Sequence, residues 1–174
     1  DLVDAETFWL LSDFDHARDA ALSAFVAFTA CDDPIGCADA HGILAWVHSS
    51  TGELLQRDQC LAAAAQSATQ GGDTLRVDYF EANRARYAVL RDVRQSNVLW
   101  GHRFADDLSG VHPSVAASIH SYFATRDYSS GNFARAAVQF DKAFEAAHQS
   151  GQLLIAVTAT VNAGNTYAAL NDHD

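Results

Sequence analysis

Residues 128–147 read YSSGNFARAAVQFDKAFEAA. A Ser-Gly-Asn turn opens a run in which Phe133, Ala136, Ala137, Phe140, Ala143 and Phe144 recur at helical spacing. A lone surface helix would bury leucines. Small residues beside large rings instead suit two helix backbones that approach closely, with the rings filling the space next to the crossing.

The unit recurs. The turn at Gly131 has counterparts at Ser12 (LLSDFDHARDAAL), Gly52 (SSTGELLQRDQCL), Asp92 (VLRDVRQSNVL) and Asn171, at spacings of 40, 40, 39 and 40 residues. Seven residues before these turns stand Ala5, Ala45, Ala85, Ala124 and Gly164, where a small side chain lets the next helix cross closely. A second set of breaks lies in antiphase at Asp32-Asp33-Pro34, Gly71-Gly72-Asp73, Ser109-Gly110 and Ser150-Gly151, each with residues that stop one helix and cap the next. Together they predict nine helices, at about 2–11, 14–31, 35–50, 53–69, 74–91, 93–107, 113–129, 132–149 and 152–170. The expected organisation is one array, 1–174, with repeats at about 1–33, 34–72, 73–111, 112–151 and 152–174. The third repeat is the least regular, with Arg94 and Asn97 at apolar or small positions.

Bulk properties agree with an all-α chain. The 174 residues are 49% hydrophobic and include only two prolines, and no sustained apolar/polar alternation marks a strand. The net charge of −11 argues against nucleic acid and anionic membrane surfaces as partners. No transmembrane span and no signal pattern is expected. Cys31, Cys37 and Cys60 cannot close a disulfide framework and are expected as buried free thiols, which favours a reducing, cytoplasmic setting.

Nothing in the pattern points to catalysis or a cofactor. Cys37, His41 and His48 share one helix face but lack a fourth metal ligand, and Leu44 and Ala45 mark that helix as core. Gly71-Gly72-Asp73 reads as a helix C-cap followed by an N-cap, with no Gly-Lys-Ser/Thr phosphate loop after it. The chain is expected to be neither an enzyme nor a metal protein.

The segments Ala124–Ala143 and Ala163–Tyr167 resemble tetratricopeptide (TPR) repeats. The first carries the Ala-x3-aromatic spacing at Ala136 and Phe140, and the second a small residue followed three later by Tyr167. The resemblance extends well over 113–174, less over 1–70 and weakly over 71–112. The period of about 40 exceeds that family's 34, and its Trp and closing Pro are absent. The longer form is similar to TPR-like arrays ahead of output domains in bacterial signalling proteins.

The resemblance implies a right-handed superhelix of helix hairpins, a TPR-like α-solenoid, serving as a protein-interaction or regulatory module for signal transduction. A GGDEF diguanylate cyclase is the first choice of output domain. The alternatives are the ligand-sensing helical domain of a transcription activator and a stand-alone scaffold.

It also implies that the first helix of each hairpin lines a concave groove for a protein or peptide partner. Counting from the turns places Trp9, Trp46, Tyr79, Asn83, Arg86, Tyr122, Thr125, Asn162 and Asn165 there, with Glu6, Asp39 and Tyr128 nearby. Aromatic anchors and amides suit an extended peptide. A carboxylate clamp is not expected, because Arg86 stands alone where such sites use several cations. Helix 152–170 is expected to present an exposed apolar face and to support a homodimer through it.

Overall fold

A computed structural model describes residues 1–104 and 107–171, and every element among them is helical. The helices are α1 (Leu2–Leu10), α2 (Phe14–Ala30), α3 (Pro34–Ser50), α4 (Leu54–Gln70), α5 (Thr74–Val89), α6 (Val93–Trp100), α7 (Pro113–Ser129), α8 (Phe133–Gln149) and α9 (Leu153–Asn171). They fall into two compact units, Asp1–Glu81 and Ala82–Asp174.

One turn is used six times. Ser12, Asp32, Gly52, Gly72, Gly131 and Gly151 all have positive φ, between 54° and 78°. The residue after each donates its N–H back to the carbonyl five residues earlier: Asp13 to Phe8, Asp33 to Phe28, Glu53 to His48, Asp73 to Ala68, Asn132 to Asp127 and Gln152 to Ala147. That is the Schellman closure of a helix C-terminus. The residue that closes it is also the next N-cap, and at Asp13 and Asp33 its carboxylate accepts from the N–H of His16 and Gly36. A 17-residue helix plus three turn residues gives 20, half the sequence repeat. Each such step reverses the chain, so consecutive helices pack as hairpins.

Within the first unit α2 packs on both α1 and α3, and α4 on α3; within the second, α8 packs on both α7 and α9. First helices also touch directly, α1 on α3 and α7 on α9. The core is mostly alanine with isolated large residues. Ala5, Ala17 and Ala21 meet Ile43, Leu44 and Val47 in the first unit. In the second, Phe140 fills the space between Ala124, Ala136 and Ala163. The small residues expected at crossings are buried at Ala5, Ala45, Ala85 and Ala124. Gly164 is exposed instead, because no described element packs on that side of α9.

Four expectations are corrected. Helix α6 ends at Trp100, not 107: Gly101 takes the C-cap, where a Cβ would stand 2.4 Å from the Asn97 carbonyl oxygen. (Residues 105–106 of that expected helix lie outside the described residues, as do 172–174; Asn171, expected at a turn, is the last residue of α9.) Phe144 is 41% exposed, since the side of α8 that faces α7 and α9 is filled by Ala136, Phe140, Ala143 and Ala147. Cys31 is exposed at a helix end, and Cys37 and Cys60 are only half-buried. Finally, α9 is by length and composition apolar enough to cross a membrane.

Candidate functional site

Three of the nine groove residues, Trp9, Trp46 and Tyr79, belong to the first unit, and the first two meet. Trp9 and Trp46 bring their rings to 5.3 Å across α1 and α3, both half-buried. Trp9 Nε1 donates to Ser50 Oγ at 3.1 Å, and that hydroxyl donates to the Trp46 carbonyl, which fixes one ring relative to the other. Seven residues before Trp46, and so on the same helix face, Asp39 accepts both Nε and Nη2 of Arg76 on α5, at 2.8 and 3.0 Å. Arg76 Nη1 also donates to Asp73 at 2.6 Å. The two carboxylates hold the guanidinium charged, and the Arg76 hydrogen bonds hold the Asp73 carboxyl below its usual range. Tyr79 stands half-buried one turn after Arg76, with its ring edge on Phe80 at 5.3 Å. First-helix side chains thus link α1 to α3 by an aromatic pair and α3 to α5 by a bidentate ion pair.

The remaining six belong to the second unit, and two of them are corrected. Tyr122 is wholly buried. Its hydroxyl donates to Asn97 Oδ1 at 2.8 Å and its ring packs among Phe104 and Phe123. Burial raises its phenol pKa. Asn83 is 4% exposed and accepts from Arg86 Nη2 at 3.2 Å. Both are packing residues, because their polar atoms are paired inside the fold, and neither can meet a partner.

Arg86 is half-buried, with its guanidinium 4.3 Å over the Tyr87 ring. Thr125 is half-buried and returns its hydroxyl to the Ser121 carbonyl. Asn162 is half-buried and Asn165 exposed on α9.

Sequence reading missed a cleft on the opposite layer of the first unit. It is about 350 Å³ and lies between α2 and α4 over the first turns of α3. Phe25, Thr29, Asp33, Cys37, His41, Gln66, Ser67 and Gln70 are among its lining residues. His41 stacks edge-on to Phe25 at 4.6 Å, and its Nδ1 lies 3.0 Å from the Cys37 carbonyl oxygen, so Nδ1 is the donor. Burial lowers the His41 pKa, which favours the neutral ring, against the Cys37 carbonyl contact that raises it. Cys37 Sγ sits 3.6 Å from Thr29 Oγ1. With Nδ1 committed to a backbone carbonyl, the ring offers only Nε2 as an acceptor. Amides, hydroxyls and that nitrogen can hold a small polar molecule. The spacing of Cys37 and His41 was the available signal, but their α2 and α4 neighbours are visible only once the hairpins pack. Among the described residues no group of three or more His, Cys, Asp or Glu is placed to hold a metal ion.

Comparison with protein-family models, with curated proteins and with solved structures finds no match to this chain.

Proposed function

We propose that the chain is a TPR-like α-solenoid module that binds a protein segment in extended form along the first-helix face of residues 1–81. The observation that carries this reading is the Trp9–Trp46 pair, set beside the Asp39–Arg76 bridge on consecutive first helices. Half-buried stacked rings offer apolar contact area at little cost in side-chain freedom. Arg76 is committed to two carboxylates, so the face holds a peptide by ring contact instead of clamping a terminal carboxylate. The formal charge of −11 favours neutral or basic segments.

The test is selection from a random peptide library on the whole chain, followed by titration of an enriched peptide. Trp46→Ala should weaken binding at least about tenfold, measured below the lowered melting temperature that loss of its packing on the core also brings. No enrichment, or equal affinity for Trp46→Ala and wild type, removes the proposal.

A second reading is favoured by the α2–α4 cleft, whose amides, hydroxyls and neutral imidazole suit a small polar ligand. A thermal-shift screen of polar metabolites, repeated on His41→Leu, separates it from the first. A stabilising compound that loses its effect in that variant supports the cleft.

A further inference from the structure

The outer face of α9 has a shape and a charge that specify what covers it. Leu153, Leu154, Val157, Val161 and Tyr167 are 46–70% exposed. On the opposite side Ile155 and Ala156 pack with Ala117 and Ala147, and Ala163 packs with Ala124 and Phe140. The helix is therefore already docked by half its circumference. The corresponding positions of α7, forty residues earlier, are Ala117, Ser121 and Ala124, all buried; in α9 they are Val157, Val161 and Gly164, all exposed.

Two features select the occupant. From Leu153 to Asn171 the helix has no Asp, Glu, Lys, Arg or His, in a chain of net charge −11. The helix therefore brings no like charges of its own together when two copies meet; Asp141 of α8, which accepts from the Tyr167 hydroxyl at 2.6 Å, borders the far end of the stripe, and antiparallel pairing sets the two Asp141 carboxylates at opposite ends. The exposed stripe is also graded. Leu153 and Val157 are large at its start, while Gly164 and Ala168 are small at its end, and a Cβ built on Gly164 meets nothing within 4 Å. Set antiparallel against itself, the stripe puts Val157 of one copy over Gly164 of the other and Leu153 over Ala168, with Thr160 and Val161 at the twofold. A self-complementary patch of this kind is what a closed C2 interface requires. The five exposed side chains hold roughly 600 Å² per copy, so pairing removes about 1,200 Å² in total, above the ~1,000 Å² of a specific interface.

We infer that the chain forms an antiparallel homodimer through α9, with Val157 seated in the Gly164 notch of the second copy. Sedimentation equilibrium of the full 174-residue chain across micromolar concentrations should give a monomer–dimer equilibrium. Val157→Glu should leave a monomer with unchanged far-UV circular dichroism, since that side chain is 62% exposed. Gly164→Leu fills the notch and should raise the dimer Kd at least about tenfold. It should also raise the melting temperature of the monomer, because glycine is a poor helix residue. Opposite signs in one variant separate an interface effect from damage to the fold.

Register is read by crosslinking in a Cys31→Ser background. Val157→Cys combined with Gly164→Cys should give a disulfide-linked dimer with oxidised glutathione. Val157→Cys alone should not, since its copies lie about seven helical rises, or ~10 Å, apart. A monomer at all concentrations, a dimer that survives Val157→Glu, or linkage by Val157→Cys alone each overturns the proposal. So does co-flotation of a monomeric chain with phosphatidylcholine vesicles, which makes a bilayer the occupant.

Discussion

Phe140→Ala tests the packing logic of the hairpins most directly. The ring is 4% exposed and is enclosed by Ala124 of α7, Ala136 of its own helix and Ala163 of α9. Removing it forfeits the transfer free energy of an aromatic side chain and leaves a void bounded by methyl groups. Alanines have no rotamers with which to fill that void, so relaxation requires whole helices to move. Phe→Ala substitutions in cores cost about 3–5 kcal/mol, and the alanine surroundings place this one at about 4. Val138, two residues earlier on the same helix, is 52% exposed, so Val138→Ala should stay within ~0.5 kcal/mol. Urea unfolding followed by far-UV circular dichroism gives both numbers from the midpoint at constant slope. A loss for Phe140→Ala below about 1 kcal/mol, or one equal to that of Val138→Ala, would mean that the ring does not set the spacing of α7, α8 and α9. Gln139→Ala is not a neutral control, because the Gln139 amide oxygen lies 2.7 Å from His120 Nδ1.

Three further outcomes follow from the same geometry. Ser12 adopts φ 60° without being glycine, so Ser12→Gly should stabilise by about 0.5–1 kcal/mol, and Gly131→Ala, at φ 78°, should cost about 1, both read by urea unfolding. Tyr122→Phe should cost about 1 kcal/mol, and a double-mutant cycle with Asn97→Ala should return a coupling of the same order, because the hydroxyl donates to Asn97 inside the fold. Burial lowers the pKa of both His41 and His120, so the folded state binds fewer protons than the unfolded one. Stability is therefore full above the unfolded value of about 6.5 and falls as pH drops below it, and a His41→Asn/His120→Asn variant should flatten that limb; stability that rises on acidification refutes the assignment.

What could be read from sequence divides according to how local its cause is. Eight helices are bounded to within two residues at both ends, because most of their limits are set by residues whose effect acts within one turn: a left-handed Gly, Ser or Asp, then a capping acid or amide. Helix α6 escaped because its end depends on Gly101 acting as a C-cap, while Ser109-Gly110 offered a more conspicuous stop eight residues later. The same locality explains the fate of the candidate groove. Trp46 and Tyr122 are both aromatic residues on first helices, but Trp46 stands six residues before its turn, the position of half-buried Thr125, and Tyr122 nine before its turn, the position of buried Ile43. Trp46 is left half-open with its ring on Trp9, whereas Tyr122 is sealed in with its hydroxyl on Asn97. The residue that pairs the Tyr122 hydroxyl is Asn97, which in sequence reads only as an irregularity where an apolar or small side chain is expected. Burial of a tyrosine requires a partner for its hydroxyl. That irregularity is the partner, 25 residues away in the chain. A polar residue that breaks a repeat is thus a pointer to a buried aromatic elsewhere, but which aromatic it serves is settled only by how the hairpins pack.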